Sequence, residues 1–153
     1  RVVLDIGSNA NVISKSFAEK LGFHCSKSNK QISMIGGGVL RDVDEFKTTI
    51  KSRHPQHQDF SKEITCLIMP EIHSPLPYRN IEWKNFSDLP ECFLADPRFF
   101  QAGQVDMILN SDVTLRSFLS ESLELTNGAF IKNTKFGHIV TGGFVDKYLP
   151  AVN

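Results

Sequence analysis

An acidic residue, Asp5, ends the first apolar run of the sequence and is followed two positions later by a glycine. The run covers residues 2–4 (VVL), and the segment Asp5-Ile6-Gly7-Ser8 continues from it. A carboxylate at the end of a buried strand costs free energy unless it is hydrogen-bonded or shares a proton with another group. The glycine lets the main chain pass close to the carboxylate and donate an N–H to it. By itself the pattern is a weak signal of a functional carboxylate, because strands often end in Asp-x-Gly turns.

A second glycine-rich segment, residues 35–38 (IGGG), lies between two extended stretches, residues 31–35 and 39–50. Two strands joined by glycines predict a β-hairpin whose tip can move. Such a hairpin can close over a substrate and exclude water, although a plain flexible turn has the same sequence. The segment matches neither GxGxxG nor GxxxxGK[ST], so it predicts no nucleotide site.

Histidines and cysteines give weaker signals. His54 and His57, with Cys66 and His73, could be metal ligands, but Pro55 lies inside the HxxH spacing and prevents a helix from aligning it. We interpret this segment as a solvated loop and expect no metal or other cofactor.

The remaining histidine, aspartate and cysteine candidates are interpreted as structural residues rather than catalytic ones. His138 is interpreted as a strand residue rather than a catalytic base, since no GxSxG motif accompanies it. Asp106 and Asp112 flank an apolar stretch and are expected to be turn and cap residues. The three cysteines have no CxxC spacing and predict reduced thiols; they are Cys25, Cys66 and Cys92.

Composition narrows the class of protein. The chain has 153 residues, 41% of them hydrophobic, which suits one globular domain with a core. It has 17 Lys and Arg and 17 Asp and Glu, so it lacks the basic surplus of a nucleic-acid binder. No apolar run approaches the ~20 residues of a membrane span. The odd cysteine count favours an intracellular setting, and a first residue other than Met suggests a piece of a longer protein.

The elements that would position these residues are mostly short strands. Apolar or alternating segments predict strands at residues 2–4, 12–13, 31–35, 39–50, 64–69, 105–109, 129–131 and 138–140. Ser16 and Glu19 form a capping box that, with Gly22, predicts a helix over residues 17–21, and Asp112 could cap a second helix through Leu119.

The stretch from residue 70 to residue 103 interrupts this pattern. It holds five of the seven prolines and is interpreted as an insertion with one short helix. Aromatic residues are expected to pack it down, and they are Trp83, Phe86, Phe93, Phe99 and Phe100. The sum of these segments predicts an all-β, barrel-like domain with two or three short helices.

Taken together and in this order, these segments resemble the retropepsin-like aspartic protease domain of BEL/Pao-type retrotransposon polyproteins. Three parts of the sequence carry the resemblance. They are residues 3–13 (VLDIGSNANVI) with 17–22 (FAEKLG), residues 94–97 (LADP) with 105–112 (VDMILNSD), and residues 133–143 (NTKFGHIVTGG). The first is general to aspartic proteases, and the other two are more specific to this group.

The resemblance implies a closed β-barrel of the acid protease fold over residues 1–153. It implies an endopeptidase that cuts extended peptides or polyproteins as a homodimer, in the cytoplasm or in a virus-like particle. Asp5 would be the catalytic residue of each subunit, in an active loop with Ile6, Gly7 and Ser8. The flap over the substrate would be Ile35, Gly36, Gly37 and Gly38, and the inner strand behind the loop would be Ile108, Leu109 and Asn110. No cofactor, nucleic acid or membrane is implied.

Two positions depart from the family pattern. Ile6 stands where the family has a Thr or Ser whose hydroxyl braces the two loops, and Asn110 stands where it has Gly. A displacement of ~1 Å in an active site can cost ~100-fold in rate, so both departures count against catalysis. They leave a second function open, namely an inactive protease-like barrel that serves as a dimerisation or peptide-binding module.

Overall fold

A computed structural model of the chain describes residues 1–22, 26, 32–33, 38–40, 43–72 and 74–147. The helices and strands are, in chain order, β1 (Val2–Leu4), β2 (Asn11–Ser14), α1 (Lys15–Lys20), β3 (Ile32–Ser33), β4 (Val39–Leu40), β5 (Glu45–Lys51), β6 (Ser61–Met69), a 3-10 helix (Trp83–Phe86), β7 (Met107–Leu109), α2 (Ser111–Ser117), β8 (Phe118–Glu124), β9 (Phe130–Thr134) and β10 (Ile139–Thr141). Strands predominate, so the prediction of a mostly β chain with two or three short helices is confirmed; the closed barrel stays a prediction.

The chain divides into two compact units. The first comprises Arg1–Lys51, Ser61–His73 and Val105–Leu115, and the second comprises Ser52–Phe60, Ser74–Gln104 and Arg116–Asn153. The single domain over residues 1–153 stays a prediction. Every helix in the described ranges is too short to cross a membrane.

The first unit is built on a five-stranded sheet in the order β1-β7-β2-β6-β5. β7 runs parallel to β1 and antiparallel to β2, so it lies between two strands that follow each other in sequence. β6 lies between β2 and β5, as its apolar residues on both faces predict. Ile13 and Cys66 on the inner strands have no exposed surface, which places the core of this unit at the centre of the sheet.

Helix α1 follows β2 directly, and its boundaries correct the sequence prediction. Ser14, not Ser16, is the N-cap, since its Oγ accepts the N–H of Phe17 at 3.3 Å. The prediction chose the wrong serine because both are good capping residues and only Ser16 has a glutamate three positions later. At the other end Gly22 takes the left-handed conformation, with φ of 68°, and its N–H bonds to the Glu19 carbonyl, as predicted.

The second unit contains the antiparallel sheet β10-β9-β8 and the proline-rich segment. The predicted short helix of that segment is the 3-10 helix, and Phe86 at its end is 2% exposed. Phe86 packs edge-to-face on Phe99 with 4.8 Å between ring centroids, and Trp83 lies 5.1 Å from Phe100. These four aromatic residues pack as predicted, whereas Phe93 instead contacts His54.

Candidate active site

The strand order places Asp5 at the end of the sheet where β7 also ends. Asp5 follows β1, and its N–H donates to the carbonyl of Leu109 at 3.0 Å, continuing the parallel pairing of β1 with β7. The chain then crosses from β1 to β2, which lies on the far side of β7. On the way, the carbonyl of Ser8 accepts the N–H of Ser111 at 2.9 Å. The loop of residues 5–10 is therefore fixed by main-chain hydrogen bonds to the chain that leaves β7.

The Asp5 carboxylate is half-buried in this loop. Its Oδ1 accepts the N–H of Gly7 at 2.8 Å, which is the contact that the Asp-x-Gly spacing predicts. A methyl group at Gly7 would lie 3.3 Å from the same oxygen, so the glycine allows the main chain to approach the carboxylate. A side chain at this position would crowd that carboxylate oxygen.

The other two residues of the predicted active loop have different surroundings. Ile6 is 64% exposed, an unusual position for a large aliphatic side chain. Ser8 turns inward on its own loop, where its Oγ donates to the carbonyl of Ala10 at 2.7 Å. Ser8 therefore shapes the loop, while Ile6 presents an apolar surface beside Asp5.

Asn110 is the N-cap of α2. Its Oδ1 accepts the N–H of Val113 at 3.2 Å, and its carbonyl accepts the N–H of Thr114. The Nδ2 group points to the carbonyl of Asn9 in the active loop at the long distance of 3.5 Å. The Asn110 side chain thus has hydrogen-bond partners, and it stabilises the helix start behind the loop.

Asn11 is a site residue that the sequence analysis did not identify. Its side chain is 7% exposed; Oδ1 accepts the N–H of Asn110 at 2.9 Å, and Nδ2 donates to the carbonyl of Thr65 at 3.2 Å. It joins the loop to both β7 and β6. The available signal was a polar residue at the start of an apolar strand, where burial requires that the amide be hydrogen-bonded.

The glycine hairpin is described only in part. β3 and β4 pair antiparallel, with Ser33 opposite Val39, as a hairpin requires. Of the predicted flap residues, Gly38 is half-buried, and Ile35, Gly36 and Gly37 lie outside the described residues.

An open groove of about 490 Å³ lies beside the active loop within the first unit. It is lined by residues 9–11 of the loop, by residues 62–65 of β6 and by the start of α2. The Nζ of Lys62 and the Oδ2 of Asp112 form an ion pair of 2.6 Å at this groove. Asp112 therefore has a structural partner, but it is not the predicted cap: it lies in the first turn of α2, Asn110 is the capping residue, and the helix ends at Ser117 rather than at Leu119.

The other reactive side chains that the structure describes have structural surroundings. Burial raises the pKa of the Cys66 thiol to about 12, which keeps it protonated and a poor nucleophile. His54 packs against His57 with 4.9 Å between ring centroids, and His73 is outside the described residues. Within the described ranges, no three His, Cys, Asp or Glu side chains are placed to hold a metal ion together.

Comparison with known proteins gives no relatives. No protein-family model, no curated protein and no solved structure matches this chain significantly.

Proposed function

We propose that this chain is the aspartic endopeptidase domain of a retroelement polyprotein and acts as a homodimer with one catalytic Asp5 per subunit. The observation that carries the proposal is the half-buried Asp5 carboxylate, held by the Gly7 N–H in a loop that is bonded to the end of β7. General acid–base hydrolysis needs a carboxylate that is held in a fixed position, as Asp5 is at the start of its loop.

In the dimer, two Asp5 carboxylates would face each other across a two-fold axis. Two carboxylates about 3 Å apart cannot both ionise, so they share one proton and titrate as a pair. The ionised member takes a proton from the attacking water, and the protonated member polarises the carbonyl of the scissile peptide bond. The substrate is an extended peptide held beneath the glycine hairpin by main-chain hydrogen bonds.

The exposure of Ile6 supports a second chain at this loop. An aliphatic side chain that is 64% exposed beside a carboxylate leaves apolar surface in water, and contact with its copy would remove that surface. Ile6 cannot supply the hydroxyl brace of the family, so apolar packing takes its place in the proposed dimer. The proposed location is the cytoplasm or a virus-like particle.

The second candidate is an inactive barrel that binds peptides or dimerises. The lack of a hydroxyl at Ile6 favours it, because the two loops then have no hydrogen-bonded brace. The substitution Ile6→Ser discriminates between the two candidates. A large rise in peptide cleavage would show that the dyad geometry is present and only the brace is missing.

Cleavage of fluorescently labelled, unfolded casein at acidic to neutral pH tests the proposal. We expect cleavage by the chain and at least a ~100-fold loss in Asp5→Asn, which keeps the size of the side chain but cannot share the proton. Asp44→Asn is the matched control, because Asp44 is an exposed carboxylate outside the loop. Cleavage that survives in Asp5→Asn would refute the assignment.

A further inference from the structure

The N-terminal half of β6 has one edge that faces the groove. β6 pairs with β5 from Ser61 to Leu67, but among the described residues β2 joins its other side only from Cys66 onward, opposite Asn11. Residues 61–65 therefore have a strand neighbour on one side, and the groove lies on the other side of residues 62–65.

The hydrogen bonds on either side show which main-chain groups face the groove. At one end of the pairing the Ile68 N–H donates to the Asp44 carbonyl, and at the other end the Ser52 N–H donates to the Phe60 carbonyl. The even-numbered residues of β6 therefore form the main-chain hydrogen bonds with β5. Along a strand, the main-chain N–H and carbonyl groups of successive residues point to opposite edges. Those of the odd-numbered residues of β6 therefore point away from β5. The Thr65 carbonyl confirms this alternation, because it accepts the Asn11 side chain.

By the same alternation, the N–H and carbonyl of Glu63 and the N–H of Thr65 are directed into the groove. Donors and acceptors at alternate residues along a strand edge match the main chain of an added strand. An open edge of this kind is normally covered or occupied.

The charged side chains at the groove indicate which extended peptides would bind there. Lys62 and Asp112 neutralise each other in their ion pair, whereas Glu63 is exposed and forms no ion pair with any described residue. Glu63 therefore offers a negative charge at the strand edge. A basic side chain on the bound peptide complements it.

We propose that this groove binds an extended peptide segment as an added strand along residues 61–65 of β6, with a Lys or Arg of the peptide facing Glu63. This site is separate from the cleavage site proposed above and does not depend on catalysis. It would hold a basic peptide segment beside the active loop, so that the chain has a docking site as well as a cleavage site.

The test measures binding in the Asp5→Asn protein, which would leave the probe peptide uncut. The probe is acetyl-TVTKTVT-amide, and binding is followed through the amide NMR signals of Glu63 and Thr65. We expect both amides to shift and to exchange more slowly with solvent when the peptide is added. The same peptide N-methylated at alternate amides should bind at least ~10-fold more weakly, because it loses its main-chain donors.

Charge variants test the second part of the proposal. Glu63→Lys should reverse the preference, so that acetyl-TVTETVT-amide binds about fivefold tighter than the lysine peptide at low salt. Glu124→Lys, the same change on β8 in the other unit, should leave the original preference in place. Unshifted Glu63 and Thr65 amides at millimolar peptide, or equal binding of the N-methylated probe, would overturn the proposal. Loss of casein cleavage in Asp5→Asn is scored separately, so either proposal can fail alone.

Discussion

The main-chain N–H of Asn110 donates to the side-chain Oδ1 of Asn11 at 2.9 Å, although 99 residues separate them in sequence. The bond joins the end of β7 to the start of β2, the strand that the Asp5 loop enters. With the Asp5 N–H on Leu109, it fixes both ends of the loop to one short strand. The position of the candidate catalytic carboxylate therefore depends on residues from both ends of the first unit.

Replacing Asn11, at the start of β2, should destabilise the first unit. Asn11→Ala leaves the Asn110 N–H and one acceptor position of the Thr65 carbonyl without a side-chain partner in a partly buried place, and we expect a loss of about 1–2 kcal/mol. Urea unfolding followed by circular dichroism measures it. Asn9→Ala is the control, since Asn9 is exposed, and an equal loss in both variants would contradict this role for Asn11.

Replacing Asn110 should show the energetics of a helix cap. We expect Asn110→Ala to lose about 1 kcal/mol of unfolding free energy, because the Val113 N–H loses its acceptor, and Asn110→Asp to retain most of it. Asn110→Gly should lose only about a few tenths of a kcal/mol. Urea titration of the three variants tests this order, and a Gly variant less stable than the Ala variant would contradict the capping role.

The histidines of the second unit predict a pH dependence of stability. Burial, and then the neighbouring charges of His57 and His138, lower the pKa of His54 below its usual 6.5. The unfolded chain therefore binds a proton at His54 more readily than the folded chain. This contribution to stability is complete above pH 6.5 and is lost as the pH falls from there through the lowered pKa.

Unfolding of the second unit, followed by the fluorescence of Trp83, measures this dependence at about pH 7.5 and about pH 5. His54→Asn should flatten the difference between the two pH values, and His57→Asn should reduce it, because one of the repelling charges is gone. If the unfolding free energy of the His54→Asn variant changed with pH as much as that of the original chain, another group would be responsible for the effect.

Two glycines with positive φ should respond differently to alanine. At Gly137, with φ of 115°, a Cβ would lie 2.8 Å from both the Phe93 carbonyl and its ring. At Gly22, with φ of 68°, nothing lies within 4 Å. We expect Gly137→Ala to cost about 3 kcal/mol or more and Gly22→Ala about 1 kcal/mol, since only the first adds a clash to the backbone strain. Equal losses in thermal or urea unfolding would show that the second unit adjusts freely around residue 137.

The sequence predicts strands best where burial is strong. β6 and β7 follow from continuous apolar runs, which in such short segments favour inner strands. β1 has the same kind of run but lies at the edge of its sheet, with Val2 48% exposed. β8 was not predicted, because it is an edge strand whose residues are largely exposed, and even Leu123 is 50% exposed. An exposed edge has little hydrophobic pattern to detect.

The candidate site was predictable in part for a similar reason. The Asp5–Gly7 contact is local, so its spacing is visible in the sequence. The roles of Asn11 and Asn110 depend on strand order, since β7 must lie between β1 and β2 before the two asparagines can meet. Nothing in either residue's own neighbourhood specifies that order.

Subunit mixing tests the central claim, one catalytic Asp5 from each of two chains, most directly. A fixed amount of the chain is equilibrated with increasing Asp5→Asn chain, and casein cleavage is measured at each ratio. If one Asp5 comes from each subunit, the inactive chains capture active ones in mixed dimers, and total cleavage falls as the inactive chain is added. Cleavage that stays constant would contradict the shared dyad and place any activity within a single chain.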